Sequence, residues 1–290
     1  MSNTAIITAS FAAMLESLII IAGNIFTIFV FWKNRNRLKR TSFLLINLAV
    51  ADLLAGFAAV LSLGAFKISG HFEERNFKTA HDINILTAFQ VTFSFASVFL
   101  LGLISLERAY ALIWPLRHRV ASTRGYICSG TFAWITAISV GAVTLLAVYD
   151  ILDFAYWIFA FGCVMILCVV TICMSYLAIR TRLNSRVPAI DGAHNRQNEH
   201  RQNAKLSRTL FVVITASLHF WIPSIVVYST HCLYPKSVPL LAVHIFNLFR
   251  LANSVVNPII YSFRVPMFRE TFKWVKFCKQ SKKHTVNHTP

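Results

Sequence analysis

The first residue of interest is a carboxylate in the middle of an apolar run. Asp52 sits within Asn47-Leu48-Ala49-Val50-Ala51-Asp52-Leu53-Leu54. A charge in that setting costs ~2.5–3.5 kcal/mol on insertion scales and needs partners. Asn24, Ser97, Asn253 and Asn257 lie at comparable depth in three other runs. One carboxylate among neutral oxygen donors composes a hydrated site for a monovalent cation. The alternative is a protonated or water-solvated Asp that serves packing alone. A second charge set, Glu107-Arg108, closes the third run, where both side chains can snorkel to the interface. Glu16 and Arg250 are the other ionisable residues of note inside apolar runs. No nucleophile–base pair and no Cys pair with zinc-ligand spacing stands out, so the chain does not read as an enzyme or a zinc protein.

Seven apolar runs must position these groups. They span about 8–32, 42–66, 82–112, 125–149, 154–182, 205–230 and 238–263. A bilayer-spanning helix needs ~20 mostly apolar residues, so residues 1–263 read as an all-α membrane protein, a seven-transmembrane helix bundle. Residues 264–290 read as a short amphipathic interfacial helix and a cytoplasmic tail. In that segment Met267, Phe268, Phe272 and Val275 alternate with Arg269, Lys273 and Lys276. Pro223 and Pro258 each remove a backbone hydrogen bond and predict kinks in runs six and seven. Residues 183–204 are polar, contain Pro188 and Gly192, and predict a flexible loop.

Apolar residues make up 56% and charged residues 13% of the 290. That excludes an ordinary soluble domain, whose charged share is about 25%. The formal charge of +17 does not form one nucleic-acid surface. Of 28 Lys and Arg, 23 fall in residues 33–40, 108–124, 180–208 and 264–283, which follow runs one, three, five and seven. They share one face, which the positive-inside rule makes cytoplasmic. The N-terminus is then extracellular, a few residues long, and the first run is retained as an anchor. Cys128, Cys163, Cys168 and Cys173 fall inside runs, Cys278 is cytoplasmic, and Cys232 has no external partner, so no disulfide is expected.

The chain resembles rhodopsin-like (class A) G-protein-coupled receptors over nearly its whole length. The resemblance rests on Gly23-Asn24, Leu48-Ala49-Val50-Ala51-Asp52, Glu107-Arg108-Ala109, Trp134, Trp221-Ile222-Pro223 and Asn257-Pro258-Ile259-Ile260-Tyr261, in that order. It implies a plasma-membrane receptor that carries an extracellular small-molecule or lipid signal to a heterotrimeric G protein. It also implies roles for the matched residues. Glu107, Arg108, Tyr176, Trp221, Pro223, Asn257, Pro258 and Tyr261 would form the activation machinery, with Tyr176 and Tyr261 reorganising around Arg108. Asp52, Ser97, Asn253, Asn257 and Asn24 would hold an allosteric sodium ion, with no other metal or cofactor. Gln90, Trp221, Tyr228, Asn247 and Arg250 would line the ligand pocket. Cys278 would carry a lipid chain, and the basic loops would meet membrane lipids.

The departures are informative. The missing external disulfide, the four-residue loop between runs four and five, and Cys168 in place of a run-five proline are similar to melanocortin, adenosine and cannabinoid receptors. The acids that melanocortin receptors use align with Ser62, Ile83 and Thr87, and the Asp of amine receptors aligns with Gln90. Ser217 replaces a usual Phe in run six. Asn203 replaces the acid that often restrains the run-three Arg, which predicts signalling without ligand. Runs one and seven are neighbours in the family, so Arg250 either pairs with Glu16 or meets a carboxylate or phosphate on the ligand. The rival functions are a bundle with lost or ligand-independent signalling, and a transporter. No inverted repeat supports a transporter, and run seven lacks the Lys that an opsin requires.

Overall fold

The computed structural model describes residues 3–71, 77–149, 151–184, 208–209, 211–213, 215–217, 219–227, 229–230, 234, 239–265 and 267–271. Lipid offers backbone groups no hydrogen bonds, so a spanning chain must satisfy them within helices. The described residues accordingly form α1 (Asn3–Lys33), α2 (Arg35–His71), α3 (Phe77–Ile113), α4 (Pro115–Val120), α5 (Thr123–Val148) and α6 (Phe154–Asn184). The described residues between 208 and 230 are helical and are called α7. The last long helix, α8, is Leu240–Arg264. Among the described residues, Thr8–Lys33, Ser42–Leu63, Ile85–Ile113, Thr123–Val148 and Ala155–Thr181 are long and apolar enough to cross a membrane.

The packing order places α3 at the centre. α2 packs between α1 and α3, α3 also meets α5 and α6, and α8 lies along α1. In the most apolar stretch of α3, 67% of residues are buried, against 17% in α6. α3 is therefore the post of the bundle, and α6 turns most of its side chains outward. Hydroxyls inside the helices donate back to the carbonyl four residues earlier, as Ser17 Oγ does to Ala13 O (2.7 Å) and Ser217 Oγ to Val213 O (2.9 Å). Trp134 Nε1 on α5 donates to Asn47 Oδ1 on α2 (3.2 Å), a polar staple between two apolar faces.

Helices extend past the apolar runs that predict them. The basic segment 33–40 that follows run one is helical from Arg35 onward, and only Asn34 interrupts it. Lys and Arg are good helix formers, and water satisfies the open ends. Parts of the polar segment 67–81 are likewise helical, up to His71 and again from Phe77. The short α4 has no counterpart in the sequence reading. It begins with Pro115 at its first position, where the missing N–H costs nothing. Asp153 Oδ1 accepts from the Ala155 N–H (2.9 Å) at the start of α6. After α8, residues 267–271 form a helical turn with Met267, Phe268 and Thr271 buried and Arg269 and Glu270 exposed.

Candidate functional site

Asp52 is fully buried on α2. Ser254 Oγ donates to its Oδ1 (2.8 Å) and Asn257 Nδ2 to its Oδ2 (2.6 Å), both from α8. Ser97 on α3 also interacts with this carboxylate, while its Oγ makes no hydrogen bond of good geometry. Asn24 Nδ2 reaches from α1 to the Ser254 carbonyl (3.1 Å). Of the sequence-predicted set, Asn24, Asp52, Ser97 and Asn257 from four helices thus converge on one place, and Asn253 is buried one residue before Ser254 on α8. Four buried oxygens of that set, Asn24 Oδ1, Ser97 Oγ, Asn253 Oδ1 and Asn257 Oδ1, have no hydrogen-bond partner. Unpartnered oxygens beside a carboxylate are the donor set that a small hard cation takes.

At the other end of α3, Arg108 Nε and Nη2 donate to the two carboxylate oxygens of Glu107. His118 Nε2 on α4 lies 2.9 Å from Glu107 Oε1. Snorkelling to water was the expectation for this pair; instead both side chains are only 4% exposed. The fold-back of α4 explains the difference, because it lays His118 over Glu107 and covers the pair. A buried, doubly held guanidinium is a charge kept from water by contacts that can be exchanged for others.

On the side of the Asp52 site away from Arg108 lies Trp221, buried on α7, edge-on to Phe95 (5.7 Å between centroids) and tilted against Phe161 (6.5 Å). The Arg250 guanidinium stands 5.7 Å from the Trp221 ring centroid. Arg250 Nη1 donates to Ser94 Oγ on α3 (2.5 Å) and Nη2 to Asn247 Oδ1 (2.9 Å). Glu16 on α1 adds electrostatic attraction to the same guanidinium. Gln90, one turn before Ser94 on α3, is buried. Along α8, Asn247, Arg250, Ser254, Asn257 and Tyr261 recur at intervals of three and four, so they form one inward stripe.

The family model for 7 transmembrane receptors (rhodopsin family) matches residues 23–261. The chain belongs to this family. Among its relatives, the mouse (Mus musculus) G-protein coupled estrogen receptor 1 is 25% identical over 280 residues, 87% of this chain and 70% of the relative. The dog (Canis lupus familiaris) adenosine receptor A3 is 24% identical over 305 residues, 92% of this chain and 91% of the relative. The human (Homo sapiens) adenosine receptor A2a is 22% identical over 287 residues, 87% of this chain and 68% of the relative. The protein is thus a seven-helix, multi-pass membrane receptor that transduces ligand signals to G proteins, and its family is not one of enzymes.

Within the receptor, the two tyrosines expected to reorganise around Arg108 are held by aromatic neighbours. Tyr176 stacks on Phe211 at 3.7 Å between centroids. Tyr261 packs edge-on to Phe31 (5.6 Å) and beside Phe268 (5.9 Å), and its buried hydroxyl has no partner. Ser254 and Ser94 contact the two central charges and were not anticipated, although Ser254 falls on the α8 stripe that Asn257 and Arg250 define. His118 was missed because a six-residue helix in a basic loop has no readable periodicity. Tyr228, Cys278, Cys232 and Asn203 lie outside the described residues.

Proposed function

We propose that the receptor sits in the plasma membrane with its N-terminus outside and its C-terminus in the cytoplasm, and that it signals an extracellular small-molecule or lipid ligand to a heterotrimeric G protein. The observation that carries this is Arg108, buried near the C-terminal end of α3 and held by Glu107. Release of that arginine would present its fork to the G protein as the inner half of α7 moves away. The names of its relatives, adenosine and estrogen receptors, favour a small ligand. The clustering of Lys and Arg after runs one, three, five and seven sets the orientation.

Gln90, Trp221, Tyr228, Asn247 and Arg250 would line the pocket. Ligand-driven movement of Trp221 would pass to α7, whose Ser224 Oγ is tied to the Phe246 carbonyl of α8 (2.8 Å). A sodium ion at Asp52, Ser97, Asn253, Asn257 and Asn24 would hold α2, α3, α1 and α8 together in the resting state. The donor chemistry described above fits it. A lipid chain on Cys278 and the basic loops would anchor the cytoplasmic face.

The test is G-protein dissociation in cells, across a panel of Gα subtypes, without ligand and beside Arg108→Ala. A basal signal abolished by the substitution is expected, since Asn203 offers Arg108 no acidic restraint. A basal signal that survives Arg108→Ala unchanged rejects the role given to Arg108. With surface expression verified, a signal no higher than in mock-transfected cells rejects the loose resting state.

A further inference from the structure

We infer that the receptor recognises an anionic group on its ligand, a carboxylate or a phosphate, through Arg250. This rests on the receptor reading above and adds the ligand's charge class. Arg250 is partly exposed, whereas Trp221 beside it is sealed in the core at 2% exposure. Ser94 and Asn247 fix the two ends of the guanidinium fork from different helices. A fork already held in place loses little freedom when it binds, and its planar donors match carboxylate and phosphate oxygens.

The surroundings offer mainly donors. The Trp221 indole N–H is buried with no partner. Asn247 Oδ1, an acceptor, is already engaged by Arg250. Ser94 Oγ accepts from Arg250, which leaves its own hydrogen free to donate. A ligand rich in acceptors and carrying negative charge complements this set, whereas a cationic ligand would meet repulsion from the guanidinium. The nearby carboxylate is Glu16, on α1. It supplies the resting countercharge and competes with an incoming anion. Because the guanidinium lies on the Trp221 ring, an anion that draws it away would loosen the contact holding α7. Recognition and the movement of α7 would then share one residue.

The experiment is thermal unfolding of the full-length receptor, purified in lipid nanodiscs, with defined probes. Oleate, oleoyl lysophosphatidate and succinate are each compared with an uncharged counterpart: oleamide, monooleoylglycerol and succinamide. At least one anion is expected to raise Tm above its counterpart. A response to oleate or lysophosphatidate assigns a membrane-borne source, and a response to succinate an aqueous one. Arg250→Gln should weaken that response by about 10- to 100-fold, the loss expected for hydrogen bonds to a charged group. Arg250→Lys, which keeps the charge without the fork, serves where Arg250→Gln does not fold. Glu16→Gln should strengthen the response, because it removes the competitor.

A purely structural Glu16–Arg250 pair predicts the opposite, with both substitutions weakening the receptor together. That result overturns the inference. So does a wild-type receptor that no anion stabilises beyond its uncharged counterpart, or an Arg250→Gln receptor that responds as wild type does. If the basal G-protein signal still depends on Arg108 while no anion binds, only the ligand class is lost.

Discussion

Asn24 on α1 hydrogen-bonds to the Ser254 carbonyl of α8, the same carbonyl that Pro258, four residues later, has no N–H to reach. The proline opens a gap in the helix ladder, and a side chain from another helix fills it. Gly23 completes the arrangement. A Cβ at Gly23 would stand 3.1 Å from Pro258 Cγ, so the absence of a side chain lets α1 approach the proline ring. Gly23-Asn24 and Asn257-Pro258, two short motifs more than two hundred residues apart, are thus halves of one contact.

Asn24→Ala should therefore destabilise the receptor by about 1–3 kcal/mol, the cost of a buried polar group left without a partner. Thermal unfolding in a fixed detergent or nanodisc measures it. Pro258→Ala restores the N–H and should recover part of the loss in the double variant, so the two effects should not add. Strict additivity would mean that the Asn24 side chain does not serve that carbonyl.

Much of this arrangement is legible in the sequence because lipid punishes polar residues that lack a purpose. Asp52, Asn24, Ser97 and Asn257 stand out against apolar neighbours, and the structure brings them together. Three things are not legible there. Ser254, which donates to Asp52, looks no different from the hydroxyls that merely back-bond within their own helix. Ser94 cannot be paired with Arg250 until the rotation of α3 is known. Glu107 and Arg108 are buried rather than at the interface because α4 folds back, and six residues carry too little pattern to announce that.

The approach of α5 to α3 depends on Gly141, where an added Cβ would overlap Thr92 Oγ1. Thr92 is itself fixed by donation to the Ala88 carbonyl (2.8 Å). Gly141→Ala is expected to cost about 1–3 kcal/mol through overpacking. Combining it with Thr92→Ala, which clears the space, should return most of that stability. A Gly141→Ala receptor that melts with the wild type would show that the helices part without cost.

At the C-terminal end of α3, Glu107 keeps Arg108 only as long as its own position holds. His118 contributes one hydrogen bond to that carboxylate (2.9 Å). Losing a hydrogen bond to a charged group is worth about 1.5–3 kcal/mol, which shifts a two-state equilibrium by about tenfold or more. His118→Ala should raise ligand-independent G-protein dissociation, and Glu107→Gln should raise it further. Adding Arg108→Ala to either variant should silence it. Equal basal signals from His118→Ala and wild type at matched surface expression would leave His118 without this role.

The Asp52 site makes its prediction through salt rather than ligand. A cation that binds the folded receptor stabilises it by mass action, about 2.7 kcal/mol at one hundred times its Kd. Tm should therefore climb as sodium chloride replaces choline chloride at constant ionic strength. Asp52→Asn removes the carboxylate and keeps the shape, so its Tm should not respond. Ser97→Ala should weaken the response by removing one of the unpartnered oxygens. Choline is too large for a site built of these side chains, which separates specific binding from general screening. A sodium response of the same size in wild type and Asp52→Asn would place the ion elsewhere and return Asp52 to a packing role, with its carboxylate compensated by the hydrogen bonds from Ser254 and Asn257.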